Sequence, residues 1–178
     1  MGRGWLHSAR MYAFRYCPDC GAKLDPVQGN HERLISQTCA VCGAVHFRNA
    51  KPCAGALVVR DGRVLLGRRA VEPGRGCWDI PGGFLNPWEH PSEAAVREVR
   101  EETGLDVRLT RLLDIVIDTY HDRDYTLNLY WVGEILGGQE RAADDLCELR
   151  WFTPDELPGE LAFPHCALVL QAWRSELT

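Results

Sequence analysis

Three glutamates, Glu98, Glu101 and Glu102, stand three and four positions apart, downstream of a glycine pair, Gly82-Gly83. In a helix turning by about 100° per residue they fall within about a 100° arc of one face. Carboxylates this close repel one another and raise each other's pKa. A stable protein therefore gathers them around a compensating cation. Hard oxygen ligands in this number suit Mg²⁺ or Mn²⁺, which keep several waters and bridge to substrate phosphates. The same segment holds the supports that such a cluster needs. Glu93, Arg97 and Glu101 form a four-spaced stripe of alternating charge, so Arg97 is placed to hold Glu101 and Glu89. Ala95, Val96 and Val99 lie on the adjoining face and would pack against a sheet. His90 is the expected N-cap, where Ser, Thr or Asp is the usual choice. Pro91 suits the first turn, Glu93 the capping-glutamate position, and Gly104 the end of the helix. A solvated helix with salt bridges would explain the charges. It would not explain Gly82-Gly83, Glu89 and Thr103-Gly104 at their fixed offsets.

Residues 83–105 read Gly-x5-Glu-x7-Arg-Glu-Val-x-Glu-Glu-x-Gly-Leu. This pattern resembles the Nudix box at every defined position from Gly83 to Leu105. The resemblance implies an α+β protein, a Nudix α/β/α sandwich whose mixed sheet lies between helices. It also implies hydrolysis of a nucleoside diphosphate linked to another group, with a divalent metal. Glu98, Glu101 and Glu102 are then the implied metal ligands and water activators, supported by Arg97 and Glu89, and the Gly82 carbonyl is a further ligand. A fourth carboxylate is expected from Asp144, Asp145 or Glu148. Trp88 stands where such proteins often have Gly, and is expected to cover the loop, with lining the mouth of the site as the alternative. Phosphate contacts are expected from Arg68 and Arg69 at the end of a strand. Rings for an aromatic slot could come from Phe47, Trp78, Tyr120, Trp131 and Phe163, most of which are expected in the core.

Upstream, Cys17-Pro-Asp-Cys20-Gly21 and Cys39-Ala-Val-Cys42-Gly43 form two Cys-x2-Cys knuckles with ribbon spacing. That is the pattern of a tetrahedral Cys₄ zinc site, with rubredoxin-like iron as the alternative. A closed four-thiolate shell leaves no position for water, so the metal is expected to be structural. His46 lies near the second knuckle but is not needed as a ligand. The remaining cysteines, Cys53, Cys77, Cys147 and Cys166, are expected to be buried thiols.

The chain has 178 residues, enough for one catalytic domain with a small appendage. The expected division is an N-terminal extension over 1–15, a zinc ribbon over 16–50 and a Nudix domain over 51–178. Residues 1–52 hold seven Lys/Arg against three Asp/Glu, net +4; residues 53–178 hold 13 against 22, net −9. The acidic part fits a metal-dependent site. The basic part could touch RNA, but it lacks dense basic clusters with interleaved aromatics, which favours a structural ribbon. No apolar run approaches the ~20 residues of a membrane span, and residues 1–10 do not resemble a signal peptide. Together these point to a cytoplasmic protein. Relatives suggest a homodimer.

Strands are expected at 34–37, 45–48, 53–60, 63–69, 78–80, 105–120, 125–136 and 149–152, with Asp61-Gly62 as a type I′ turn and 121–124 as a polar turn. Helices are expected at 91–103, 153–157 and 166–175. The layout resembles small ribbon-bearing ADP-ribose and FAD pyrophosphatases, which act on small-molecule nucleotides. It is less like the NADH pyrophosphatases, whose Ser-Gln-Pro-Trp-Pro-Phe-Pro-type stretch has only a faint echo in Ala162-Phe163-Pro164-His165. The alternatives are NADH pyrophosphatase or NAD-cap RNA decapping, and a nucleotide- or RNA-binding regulator on the same fold.

Overall fold

The computed structural model describes residues 14–25, 36–47, 49–120 and 124–177. Most of the expected N-terminal extension, Leu34, Arg48 and the turn residues His121, Asp122 and Arg123 lie outside them. The knuckle region contains one small antiparallel pair, β1 (Ser36–Thr38) with β2 (Val45–Phe47). The main sheet has seven strands. It begins with β3 (Lys51–Arg60) and β4 (Arg63–Arg69), joined at Asp61-Gly62. Both turn residues have positive φ, 51° and 71°, as a type I′ turn requires. β3 begins at Lys51, two residues before the expected strand.

Next come β5 (Trp78–Asp79), β6 (Gly82–Phe84) and helix α1 (Pro91–Thr103). Two long strands follow, β7 (Leu105–Tyr120) and β8 (Asp124–Gly138), then β9 (Leu146–Phe152) and helix α2 (Pro164–Ser175). The strand order is β5-β4-β3-β8-β7, with β6 added to β3 and β9 added to β4. β3 and β8 run parallel, while the other pairs are antiparallel.

Alternation along the strands assigns the two faces. Leu57, Val64 and Leu66 pack with Cys166, Val169, Leu170 and Trp173 of α2. Ala56, Val58 and Leu65 pack with Val99 of α1 on the other face. β3 is therefore buried on both sides, and its apolar run 54–58 is almost fully shielded from solvent. The result is a sheet between two helices.

Two expectations change. Residues 153–157 form a turn and not a helix: Thr153 Oγ1 donates to Glu156 Oε2 at 2.9 Å, but Pro158 follows and disfavours the helical region at Leu157. Of the four remaining cysteines only Cys166 is buried; Cys53 and Cys77 are half-buried and Cys147 is exposed. Cys147 lies on β9, beside the edge of the sheet, where its side chain meets solvent.

Candidate active site

Helix α1 is fixed at both ends by local chemistry. The His90 imidazole does the capping: its Nδ1 accepts from Ser92 N at 3.3 Å, and Glu93 Oε2 accepts from His90 N at 3.3 Å. An aromatic nitrogen thus replaces the usual hydroxyl or carboxylate oxygen. Gly104 closes the helix at φ 71°, donating its N–H to Arg100 O. Beyond it, Gln139 N, Arg141 N and Ala143 N donate to the carbonyls of Gly104, Thr103 and Glu102. The segment after β8 is thereby laced to the end of α1, which brings Asp144 and Asp145 toward the glutamates.

Arg97 organises the carboxylates. Its guanidinium donates to both oxygens of Glu89 at 2.7 and 2.9 Å, to Glu98 Oε1 at 2.7 Å, to Glu101 Oε2 at 2.8 Å and to Phe84 O at 3.2 Å. Those hydrogen bonds, with a further one from Asn86 N, hold the Glu89 carboxyl down at about 2. Glu102 turns the other way and accepts from Gly82 N at 2.9 Å. Burial pushes the Glu98 carboxyl above its ordinary range; Arg97 opposes this, while Glu101 and Asp144 add to it. Glu102 is pushed well above its ordinary range by burial first, then by Asp79, with Glu98 and Asp145 contributing. The glycines are there for clearance. A Cβ on Gly83 would stand 2.6 Å from Glu98 Oε1, and one on Gly82 would stand 2.8 Å from Ala54 O.

These residues are neighbours, but Glu98, Glu101 and Glu102 do not converge on one point as tightly as the cysteines do among the described residues. Arg97 neutralises Glu98 and Glu101 in this arrangement. A shared cation requires Glu101 to rotate away from Arg97. Half-exposed at the surface, its side chain is free to do so.

Beside the Gly82-Gly83 loop lies a cleft of about 100 Å³ between the sheet and the start of α2. Its walls include Phe84, Tyr120 and Phe163; its floor includes Thr126, Asn128 and Tyr130 of β8. Tyr120 meets Phe84 edge-on at 5.5 Å and Phe163 at 6.2 Å. His165 anchors the inner end. Its Nδ1 and its backbone N both lie 2.9 Å from Asp118 Oδ2. Burial disfavours the ionised Asp118 carboxyl, but these bonds to His165 outweigh it and hold it below the ordinary range.

Arg68 and Arg69 do not act as a pair. Successive strand residues face opposite ways, so only Arg69 borders the cleft. Its Nη1 lies 3.1 Å from Asp79 Oδ2, its Nε donates to Pro73 O, and it lies over the Phe163 ring. Arg68 turns away toward Gly76 O and Glu148. Glu148 is therefore drawn off from the glutamate cluster, and Asp144 and Asp145 are the nearer acids. Trp88 is fully exposed at φ 71°, so it neither covers the loop nor lines the cleft. Of the candidate rings, Tyr120 and Phe163 reach the cleft; Trp78 packs on Phe152, Trp131 packs near α1 and Phe47 is half-exposed beside the knuckles. Sequence reasoning missed Phe84, Thr126, Asn128, Tyr130, Asp118 and His165. The one available signal was the polar alternation Thr126, Asn128 within an otherwise apolar strand.

The four knuckle sulfurs lie within 4.8 Å of one another, with Cys17–Cys42 at 3.7 Å and Cys20–Cys39 at 3.6 Å. These separations far exceed the ~2.05 Å of a disulfide. They match the ~3.8 Å between sulfurs of a tetrahedron with metal–sulfur bonds of about 2.3 Å. Backbone N–H groups of Cys42 and Val41 draw the Cys39 thiol down to about 7. His46 Nε2 lies 3.1 Å from Cys17 Sγ, as a neighbour of the shell. The cluster could hold a metal ion.

The NUDIX domain family description matches residues 50–169, and the chain belongs to that family. It is 36% identical over 110 residues to an ADP-ribose pyrophosphatase of Methanocaldococcus jannaschii, covering 61% of this chain and 64% of that one. It is 26% identical over 147 residues to a NAD-capped RNA hydrolase of Vibrio atlanticus, covering 82% of this chain and 52% of that one. The chain thus spans between half and two thirds of the length of these relatives. Among solved structures, a NUDIX hydrolase from Nitrosomonas europaea shares the fold with a TM-score of 0.77 at 24% identity, over 92% of both chains. A MutT NUDIX hydrolase from Burkholderia pseudomallei aligns with a TM-score of 0.66 at 29% identity, over 70% of this chain and 98% of that one. No helix among the described residues is long and apolar enough to cross a membrane.

Proposed function

We propose that the protein is a metal-dependent pyrophosphohydrolase that cleaves the diphosphate of ADP-ribose, FAD or a related dinucleotide, releasing AMP and a phosphorylated partner. The observation that carries this reading is the buried Glu98–Glu102 pair set against the Gly82-Gly83 loop, at the edge of an aromatic cleft. The 36% identity to an ADP-ribose pyrophosphatase supports the substrate class. Mg²⁺ or Mn²⁺ held by Glu98, Glu101, Glu102 and the Gly82 carbonyl would neutralise phosphate charge and activate a water. The chain's own part is positional. Arg97 and Glu89 hold the glutamates in register, and the cleft holds the nucleoside so that the diphosphate lies across the glycine loop. Asp144 or Asp145 completes the acidic set. The four cysteines Cys17, Cys20, Cys39 and Cys42 hold a structural Zn²⁺ in a ribbon ahead of the catalytic domain.

A second reading is hydrolysis of NAD-capped RNA. The similarity to the NAD-capped RNA hydrolase runs over 147 residues, further than the family match itself. One panel separates the two: ADP-ribose, FAD, NADH, diadenosine polyphosphates, nucleoside triphosphates and NAD-capped RNA, with Mg²⁺ or Mn²⁺, beside Glu102→Gln. Turnover of a free dinucleotide that is lost in the variant supports the first reading. Turnover confined to capped RNA, with affinity falling steeply in salt, supports the second. No turnover of any member rejects both.

A further inference from the structure

The floor of the cleft is polar where a central strand is ordinarily apolar, and its hydrogens are already committed. Asn128 is 3% exposed. Its Nδ2 donates to Thr126 Oγ1 at 2.9 Å and to Val116 O at 3.2 Å. Those two acceptors fix the orientation of the amide, because the flipped form would set Oδ1 against a carbonyl oxygen. No described residue donates to Asn128 Oδ1, yet no buried side-chain oxygen or nitrogen is sealed off without a partner. Oδ1 therefore opens onto the cleft that Asn128 lines. Its neighbours on the same face behave alike. The Thr126 hydroxyl accepts from Asn128 and is directed at Asp118 O, 3.5 Å away. An ionised Asp118 can only accept, so His165 Nδ1 donates to it. The Tyr130 hydroxyl is paired with His165 Nε2 at 2.9 Å. What Asn128 presents to a ligand is acceptor capacity, at its Oδ1.

We propose that Asn128 is a specificity determinant: its carbonyl oxygen receives the exocyclic amine of a nucleobase held against Tyr120 and Phe163, so the cleft selects adenine over the same ring bearing a carbonyl. A hypoxanthine ring turns its oxygen toward Asn128 Oδ1, and two acceptors then face each other with no hydrogen between them. This inference rests on the function proposed above and narrows it to adenine-bearing substrates read from the adenine side.

The test compares kcat/KM for ADP-ribose and inosine diphosphate ribose, which differ by amine against carbonyl, in the wild-type protein and in Asn128→Leu. The wild type should prefer ADP-ribose by about tenfold or more. Asn128→Leu should bring the two substrates to within about twofold of each other, chiefly by losing ADP-ribose turnover. The wild-type comparison requires no variant to fold, and equal wild-type values would overturn the proposal. Calorimetric binding of AMP and IMP in magnesium-free buffer separates it from the hydrolase reading. Tighter AMP binding without turnover of any substrate would sustain the base preference while rejecting the hydrolase. Neither turnover nor a preference for AMP would reject both.

Discussion

Arg97 is the cation around which the acidic residues are arranged, since it donates to Glu89, Glu98 and Glu101 at once. Lysine has a single ammonium and cannot span that set. Arg97→Lys should therefore lower kcat by about 10- to 100-fold, in the range of lost support for a metal ligand, while circular dichroism stays native. The buried glutamates make a separate prediction. Glu98 and Glu102 titrate above the ordinary 4.5 in the folded chain. From that value upward the unfolded chain has released protons that the folded chain still holds, so the metal-free protein loses stability as pH rises. A divalent cation replaces those protons. Mg²⁺ should raise the melting temperature more at about pH 8 than at about pH 5; an equal rise at both would argue against these glutamates as ligands. Arg69 and Asp79 form a buried pair, each 8% exposed. Arg69→Ala leaves the Asp79 charge without its partner and should cost about 3–5 kcal/mol in denaturant unfolding.

At the scale of elements, the loop from β6 into α1 sets the distance between glycine backbone and carboxylate. Gly83→Ala drives a methyl into the Glu98 carboxylate. It should cut turnover by about 100-fold, measured against a melting temperature that falls only modestly. Trp88 tests the opposite case. It is exposed and held at φ 71°, a region costly for a bulky side chain. Trp88→Gly should raise stability by about 1 kcal/mol without changing turnover. The helix itself was legible in the sequence because every support lies within one local stretch: cap, stripe, apolar face and closing glycine. The choice of His90 as cap could be placed but not explained, since the geometry of its Nδ1 emerges only from the folded turn.

At the scale of the molecule, legibility fails where residues far apart in the chain meet. The cleft is assembled from the strands β3 to β8 and the start of α2, so no spacing rule joins Phe84 to Asn128 or His165. The arginine pair misled for a simpler reason: strand alternation separates Arg68 from Arg69, and which of the two faces the cleft depends on the packing of the whole sheet. The knuckles, by contrast, were legible because each Cys-x2-Cys turn is self-contained. Under the zinc proposal the purified protein should carry one zinc per chain, and Cys39→Ser should lose it, as read by metal analysis. The lacing of residues 139–143 onto the end of α1 has a kinetic consequence. The amides of Gln139, Arg141 and Ala143 are hydrogen-bonded to the carbonyls of Gly104, Thr103 and Glu102. In deuterium exchange these three amides should open together with the last turn of the helix. Asp144 and Asp145 would then breathe in step with the glutamates across from them.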